Sequence, residues 1–225
     1  MKHQGIIDAV DNSIKILHDE FKSQPSLFFT EDDLVCYLYQ TLQQKLPIVR
    51  TPDKDDHQHF LIHKEYPTPF RCDMAGTKFE IKNDEERTEK GGKYKRGYYD
   101  LIVLNPDFIR QYTYDEIKAQ DYESYKEKVL SKIELDTPVI LYGLEFMFSR
   151  DPLKSSRGIN KEKGINHFIA KINQDAKKLE LSRNFKGFMG EIKMLTFIKG
   201  SSEEICFSIS ETLKKRDEII LIFAD

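Results

Sequence analysis

The chain of 225 residues contains no tryptophan and three cysteines, Cys36, Cys72 and Cys206. The cysteines stand far apart, in none of the paired spacings that mark a zinc site or a disulfide framework. Cys36 and Cys206 fall within helical apolar patterns and are expected to be small core residues. Such sparing use of cysteine suits a reducing compartment, so the expected location is cytoplasmic. Long apolar runs are also missing. Nothing approaches the about 20 residues needed to span a bilayer, and the opening Met1-Lys2-His3-Gln4-Gly5 lacks the apolar core of a secretory signal. No membrane partner is expected. No phosphate-cradling glycine loop occurs, and Gly91-Gly92 is too isolated to act as one, which argues against nucleotide hydrolysis. Finally, no excess of positive charge is present: 35 Lys and Arg face 38 Asp and Glu, for a formal net charge of -3. Nucleic-acid binding would have to rest on a local basic patch.

What is present is an alternation of helical and strand patterns. Ile6, Val10, Ile14, Leu17 and Phe21 recur at helical spacing, so residues 1–27 read as an N-terminal helix that packs on the core or on a second copy in a homodimer. Thr30 is placed to cap a second helix, with Glu31, Asp32 and Asp33 in its first turn and Leu34, Leu38 and Leu42 as its buried stripe. Glu31 falls on the same side as that stripe, as a capping charge or as an accessory metal ligand. Residues 59–66 read as a strand. His57, His59 and His63 lie close in sequence, but no further ligand completes a zinc set.

Residues 73–97 form the most polar stretch, a hairpin excursion in which residues 78–82 make one arm and the other leads into Tyr98. Its Lys93, Lys95 and Arg96, with Tyr94 beside them, can touch phosphates and stack on bases. Residues 110–135 read as a helical insertion. After it come a strand at 139–148, a loop carrying Lys154, Arg157, Lys161 and Lys163, and an amphipathic helix built on Ile165, Phe168, Ile169, Ile172, Ala176 and Leu179. A strand at 186–198, a helix at 203–215 and a last strand at 218–223 complete the chain. The order implies a mixed sheet with helices on both faces.

Two strands carry one acid each among apolar neighbours: Asp100 in residues 97–104 and Glu145 in residues 139–148. A buried charge costs several kcal/mol unless it is paired or binds a metal. Strands placed side by side would bring the two carboxylates together, and they repel unless a cation lies between them. The bland alternative is that each is a solvated residue near a strand end.

This order of elements, with Asp100 on one central strand, Glu145 on the next and the acid-bearing helix of Glu31 ahead of both, resembles the restriction-endonuclease-like PD-(D/E)XK nuclease superfamily. Supporting details are the run Lys64-Glu65-Tyr66-Pro67-Thr68-Pro69-Phe70 before Arg96-Gly97-Tyr98-Tyr99-Asp100-Leu101, and the helix containing Asp175-Ala176-Lys177-Lys178-Leu179. The likeness spans residues 28–225. It implies a mixed central sheet flanked by helices and a nuclease that hydrolyses phosphodiester bonds in DNA, or in RNA, with Mg²⁺ or Mn²⁺, DNA being the more expected partner. Asp100 and Glu145 would be the metal-binding acids, and Glu31 would complete the site.

The departure lies in the third motif position. The family pattern asks for Glu-x-Lys, and this chain has Glu145-Phe146-Met147. Methionine can neither orient water nor stabilise charge on phosphate. The expectation is that another lysine reaches in, Lys161 being preferred over Lys171. Intact Glu-x-Lys runs occur at Glu80-Ile81-Lys82, with Asp73 nearby, and at Glu191-Ile192-Lys193; i, i+2 ion pairs along strands explain both. Lys93, Lys95, Arg96, Lys154 and Arg157 are the expected nucleic-acid contacts. Because of Met147, the alternative function is a catalytically inactive nuclease fold that binds nucleic acid or protein.

Overall fold

The computed structural model describes residues 3–133, 138–150 and 161–224, with the backbone alone at 161 and 162. Helices α1 (Gln4–Ser23) and α2 (Glu31–Lys45) open the chain. A two-stranded ribbon follows, β1 (Arg50–Pro52) with β2 (Gln58–Phe60). The main sheet contains β3 (Ile62–Asp73), β4 (Glu80–Lys82), β5 (Arg96–Leu104), β6 (Ile140–Ser149), β7 (Met189–Lys199) and β8 (Ile219–Ala224), in the order β4-β3-β5-β6-β7-β8. The pairings from β4 to β6 are antiparallel, whereas β6–β7 and β7–β8 are parallel. Between β5 and β6 lie the short helices α3 (Pro106–Gln111), α4 (Tyr114–Lys118) and α5 (Tyr122–Tyr125), the last running into a π-helical turn at Lys126–Leu130. The parallel crossovers carry α6 (Lys161–Asn184) and α7 (Glu203–Leu213).

The expectation of a mixed α/β sheet with helices on both faces is met. On one face Tyr142 of β6 donates its hydroxyl to Asp11 of α1 at 2.7 Å, and Phe197 of β7 stacks edge-on against Phe21. On the other face Gly143 of β6 backs onto α6: a Cβ there would meet Met189 Sδ at 2.2 Å and Leu179 at 3.4 Å. Central strands covered on both sides must be apolar throughout, and Val139 to Phe146 is almost wholly buried. Each of the large side chains so buried contributes about 1.5–3 kcal/mol.

Helix α1 belongs to the same core. Ile6, Val10, Ile14, Leu17 and Phe21, the residues of its apolar period, are all buried there. Helix α2 starts in a capping box: Thr30 accepts from the Asp33 N–H and Asp33 accepts from the Thr30 N–H. Because Asp33 closes the box, Glu31 is released for another role.

Two expectations are corrected. Cys36 is exposed, not core, because it stands two residues, about 200°, around the helix from buried Leu34; Cys206 is half-buried, and Cys72, on β3, is the fully buried cysteine. The arm at residues 78–82 does not pair with the strand of Tyr98. Its β4 segment pairs with Arg71–Asp73 of β3, which lies between β4 and β5.

Candidate functional site

The ladder between β5 and β6 stops at Leu101↔Leu144. Beyond that rung the strands are no longer paired, and Asp100 and Glu145 stand where the next rung would be. The Phe146 N–H donates instead to Asp100 Oδ2 at 2.7 Å, so a side-chain carboxylate replaces a backbone acceptor. Asp100 is half-buried and Glu145 is 2% exposed. The two predicted acids are thus adjacent, on neighbouring central strands and facing α6.

Two further residues join them from α6, one helical turn apart. Lys178, 3% exposed, places Nζ 2.7 Å from Glu145 Oε1 and 3.8 Å from Asp175 Oδ1, and it donates to the Tyr98 carbonyl at 2.7 Å. The contact with Glu145 is close but poorly directed: Glu145 Oε1 has no well-aligned hydrogen-bond donor. Glu31 approaches from the start of α2. Its neighbour Asp32 takes the Lys64 ammonium at 3.1 Å.

The electrostatics follow from this crowding. Desolvation raises the Glu31 carboxyl to about 7, with Asp100 and Asp175 adding to the rise and the Phe148 backbone opposing it. Glu31 is exposed as a residue, yet its carboxyl feels the charges of Asp100 and Asp175. Asp100 and Asp175 are raised by desolvation too, partly offset by the Phe146 N–H for Asp100 and by Lys178 for both. Burial also pushes Glu145 up, against the pull of Lys178. Burial works against the Lys178 ammonium, but the surrounding acids outweigh it, and the ammonium holds its proton more tightly than usual. Asp100, Glu145 and Asp175 therefore surround Lys178, Glu31 adds a fourth acid beside Asp100 and Asp175, and Lys171 acts on Asp175 from further off, so acids outnumber cations at the site.

An ammonium does stand beside Glu145, and it comes from another element. Met147 is half-buried, two residues beyond Glu145, while the ammonium at Glu145 comes from Lys178 of α6. Lys178 lies about 130° from the centre of the apolar stripe of α6, at 100° per residue, so its position on the helix does not announce burial. A usable signal was present. Gln174, Lys178 and Ser182 recur every four residues and all are buried. Gln174 donates to the carbonyls of Met74 and Lys78, and Ser182 accepts from the Tyr99 hydroxyl. The hairpin and β5 thus cover a polar stripe that a helical wheel assigns to solvent.

Of the other nominated residues, Lys154, Arg157 and the side chain of Lys161 lie outside the described residues. Lys171 anchors the hairpin by donating to the Gly76 carbonyl at 2.6 Å. Lys93 is exposed and pairs with Glu123 at 3.1 Å; Lys95 is exposed. Arg96 is half-buried and spends its guanidinium on the carbonyls of Thr68, Ala119 and Pro67, so it braces the insertion against β3 rather than facing solvent. Lys82 pairs with Glu80 at 2.9 Å, as the i, i+2 reading expects, and Asp73 caps a turn by accepting from the Ala75 N–H. Glu191 is exposed, and Lys193 donates to the Asp217 carbonyl.

Among the described residues no three His, Cys, Asp or Glu side chains converge closely enough to hold a metal ion as they stand. By chemistry the set still suits a hard divalent cation, which takes carboxylate oxygens: Asp100 and Glu145 are adjacent, and Glu145 Oε1 is buried without an aligned donor. Compared with known proteins, the chain matches no family model, no curated protein and no solved structure.

Proposed function

We propose that the chain is a divalent-metal-dependent phosphodiesterase, a nuclease of the restriction-endonuclease-like type acting on DNA or RNA. The observation that carries this reading is the excess of carboxyls around one lysine at the point where two central strands part. Such an excess is relieved by protons or by a cation. Asp100 and Glu145 would hold Mg²⁺ or Mn²⁺, and Glu31, which feels the charge of Asp100, would have to move inward to complete the set. A bound divalent ion supplies Lewis acidity toward phosphate oxygens and lowers the pKa of water.

The chain's own residues divide the remaining work. Lys178, held by the Tyr98 carbonyl, keeps a fixed positive charge beside Glu145. A preorganised ammonium stabilises negative charge that develops on a phosphate, so the role expected of a lysine at position 147 falls to Lys178. The Phe146 N–H fixes the rotamer of Asp100. Exposed Lys93 and Lys95 on the hairpin offer backbone-phosphate contacts.

The test is cleavage of single-stranded and duplex DNA with Mg²⁺ or Mn²⁺ by the wild type, Asp100→Asn and Glu145→Gln. Metal-dependent cleavage lost in both variants, with unfolding curves preserved, supports the reading. Cleavage retained in either variant overturns it. The second reading is a nuclease-fold binding module, favoured by the lack of three converging donors among the described residues. It predicts oligonucleotide binding without turnover under any metal.

A further inference from the structure

Beside the acid centre, β3 and the insertion enclose a pocket of about 480 Å³. Its floor includes buried Tyr66, whose hydroxyl donates to the Ile117 carbonyl at 2.7 Å. Its walls and rim include His63, Lys64, Glu65, Tyr98, Tyr114 and Lys118. Tyr98 is 56% exposed and Tyr114 is 50% exposed, and they are the two tyrosines among the large exposed side chains of the described residues. Leaving aromatic rings in water forgoes a large burial gain, and here both rings border one cavity.

The pocket is tied to the acid centre in three ways. Tyr98 lies two residues before Asp100 on β5, about 7 Å along a strand, and its carbonyl is held by Lys178. The register Lys64↔Leu101 and Tyr66↔Tyr99 sets Glu65 across from Asp100. Glu65 itself has φ 53°, a left-handed conformation in the middle of a strand. Backbone strain of this kind persists where the surroundings over-determine it and clusters at functional sites. Lys64 reaches Asp32, next to Glu31, at 3.1 Å.

We propose that this pocket binds one unpaired nucleotide of a nucleic-acid strand, its base on the exposed tyrosine rings and its phosphate toward Lys64 and Lys118. Stacking on aromatic rings accepts any base, because every base has a π-face. The cations at the rim supply the backbone contact. Lys118 lies 5.4 Å from the centre of the Tyr114 ring, so a cation and a stacking surface stand together. Glu65 adds an acceptor for amino groups on a base edge. Burial keeps His63 neutral more readily than a free histidine, with its Nε2 2.8 Å from the Phe60 carbonyl, so it adds ring surface without charge. The proposal deepens the nuclease reading and rests on it: a strand anchored here would be held next to Asp100 and Glu145 as a single strand or a locally opened duplex.

The test measures binding without metal, so that cleavage does not enter. The full chain is titrated in chelator with a short single-stranded oligodeoxynucleotide, with a blunt duplex and with deoxyadenosine 5′-monophosphate, by calorimetry. The expected result is binding of the single strand in preference to the duplex. Tyr98→Ala and Tyr114→Ala should each weaken it by about tenfold or more, while Tyr98→Phe, which keeps the ring, should bind as the wild type does. Both tyrosines are exposed, but the Tyr114 ring stacks on His59 at 5.5 Å, so thermal unfolding of Tyr98→Ala should match the wild type and that of Tyr114→Ala should fall slightly below it. Single-strand affinity that is absent in the wild type, or unchanged in both alanine variants, overturns the proposal. The outcome is separable from the nuclease reading. Binding that depends on Tyr98 in a protein that never cleaves removes the nuclease alone. Cleavage with unchanged KM in Tyr98→Ala and Tyr114→Ala removes the pocket alone.

Discussion

Two buried carboxylate environments stand in this fold, and they are opposites. In the turn between β1 and β2, Asp53 is saturated: Oδ1 accepts from the Asp55 and His57 N–H groups at 2.8 and 2.9 Å, and Oδ2 lies 2.8 Å from His59 Nε2. Desolvation pulls its pKa upward, but the bonds from His59, His57 and Asp55 win and hold it at about 2. Around Lys178 the balance is reversed. Three carboxyls share one ammonium, Glu31 crowds two of them, backbone donors are few, and burial drives all four up. A carboxylate whose lone pairs are all used is a structural brace. One left with open lone pairs beside other acids awaits a proton or a cation.

The largest expected effect sharpens this contrast. If the acid centre binds the ion, Asp100→Asn and Glu145→Gln should each lower metal-dependent cleavage by about 10³-fold or more, while Asp53→Asn should leave turnover unchanged. Equal losses from Asp53→Asn would remove the distinction. Next comes Lys178→Met. It should cost about 10²-fold in kcat, and about 3 kcal/mol of stability, because it leaves a buried carboxylate without its counter-charge. Denaturant curves at pH 5 and pH 8 should show the larger deficit at pH 8, where the acids lack protons to replace the lost ammonium. Lys178→Arg, which keeps the charge but not the point geometry, should retain most of the stability and lose most of the rate.

How much of this was legible beforehand depends on whether a signal was local. The apolar periods of α1 and α2, the Thr30 cap and the strands of Asp100 and Glu145 are local patterns, and the structure keeps them. The α/β class follows from their order. Lys178 and Asp175 were not legible as site residues, because their burial comes from β5 and the polar hairpin, both distant in sequence. Arg96 read as a solvent-facing phosphate contact because nothing local announces the carbonyls of Thr68, Pro67 and Ala119 around it. The exposure of Cys36 was readable from its angle alone and was obscured by the residue's usual preference for cores. The left-handed Glu65 has no sequence mark at all, since glutamate is not a residue that favours that region.

A smaller effect tests the acid centre through pH. Glu31 titrates near 7 in the folded chain and near 4.5 when unfolded. Between those values the folded state binds the extra proton, so the stability linked to Glu31 is fully present below about 4.5 and is lost as pH rises through 7. Glu31→Gln should flatten that decline by about 1 kcal/mol, allowing for the solvent that reaches this side chain. Added Mn²⁺ should restore stability at pH 8 in the wild type and less so in Glu145→Gln, because a ligand that binds only the folded state stabilises it. Thermal unfolding across pH 5–8, with and without the ion, decides it. A wild type whose stability rises over this range would contradict the crowded-acid picture.

The smallest effect belongs to the saturated site, and its sign is opposite. Asp53 is held at about 2 against an unfolded value of 3.8. Its contribution is therefore fully present above the unfolded value and is lost as pH falls from about 4 to 2. Asp53→Asn keeps an acceptor for the two backbone N–H groups but gives up the charged bond to His59. The variant should unfold at a somewhat lower temperature at neutral pH and lose less on acidification, so the two melting curves should converge near pH 2. Metal should leave that difference untouched, because every lone pair that Asp53 uses is already taken by a donor of the chain. A metal-dependent shift in Asp53→Asn relative to wild type would place a cation in the β1–β2 turn and undo the division between a carboxylate that braces and carboxylates that bind.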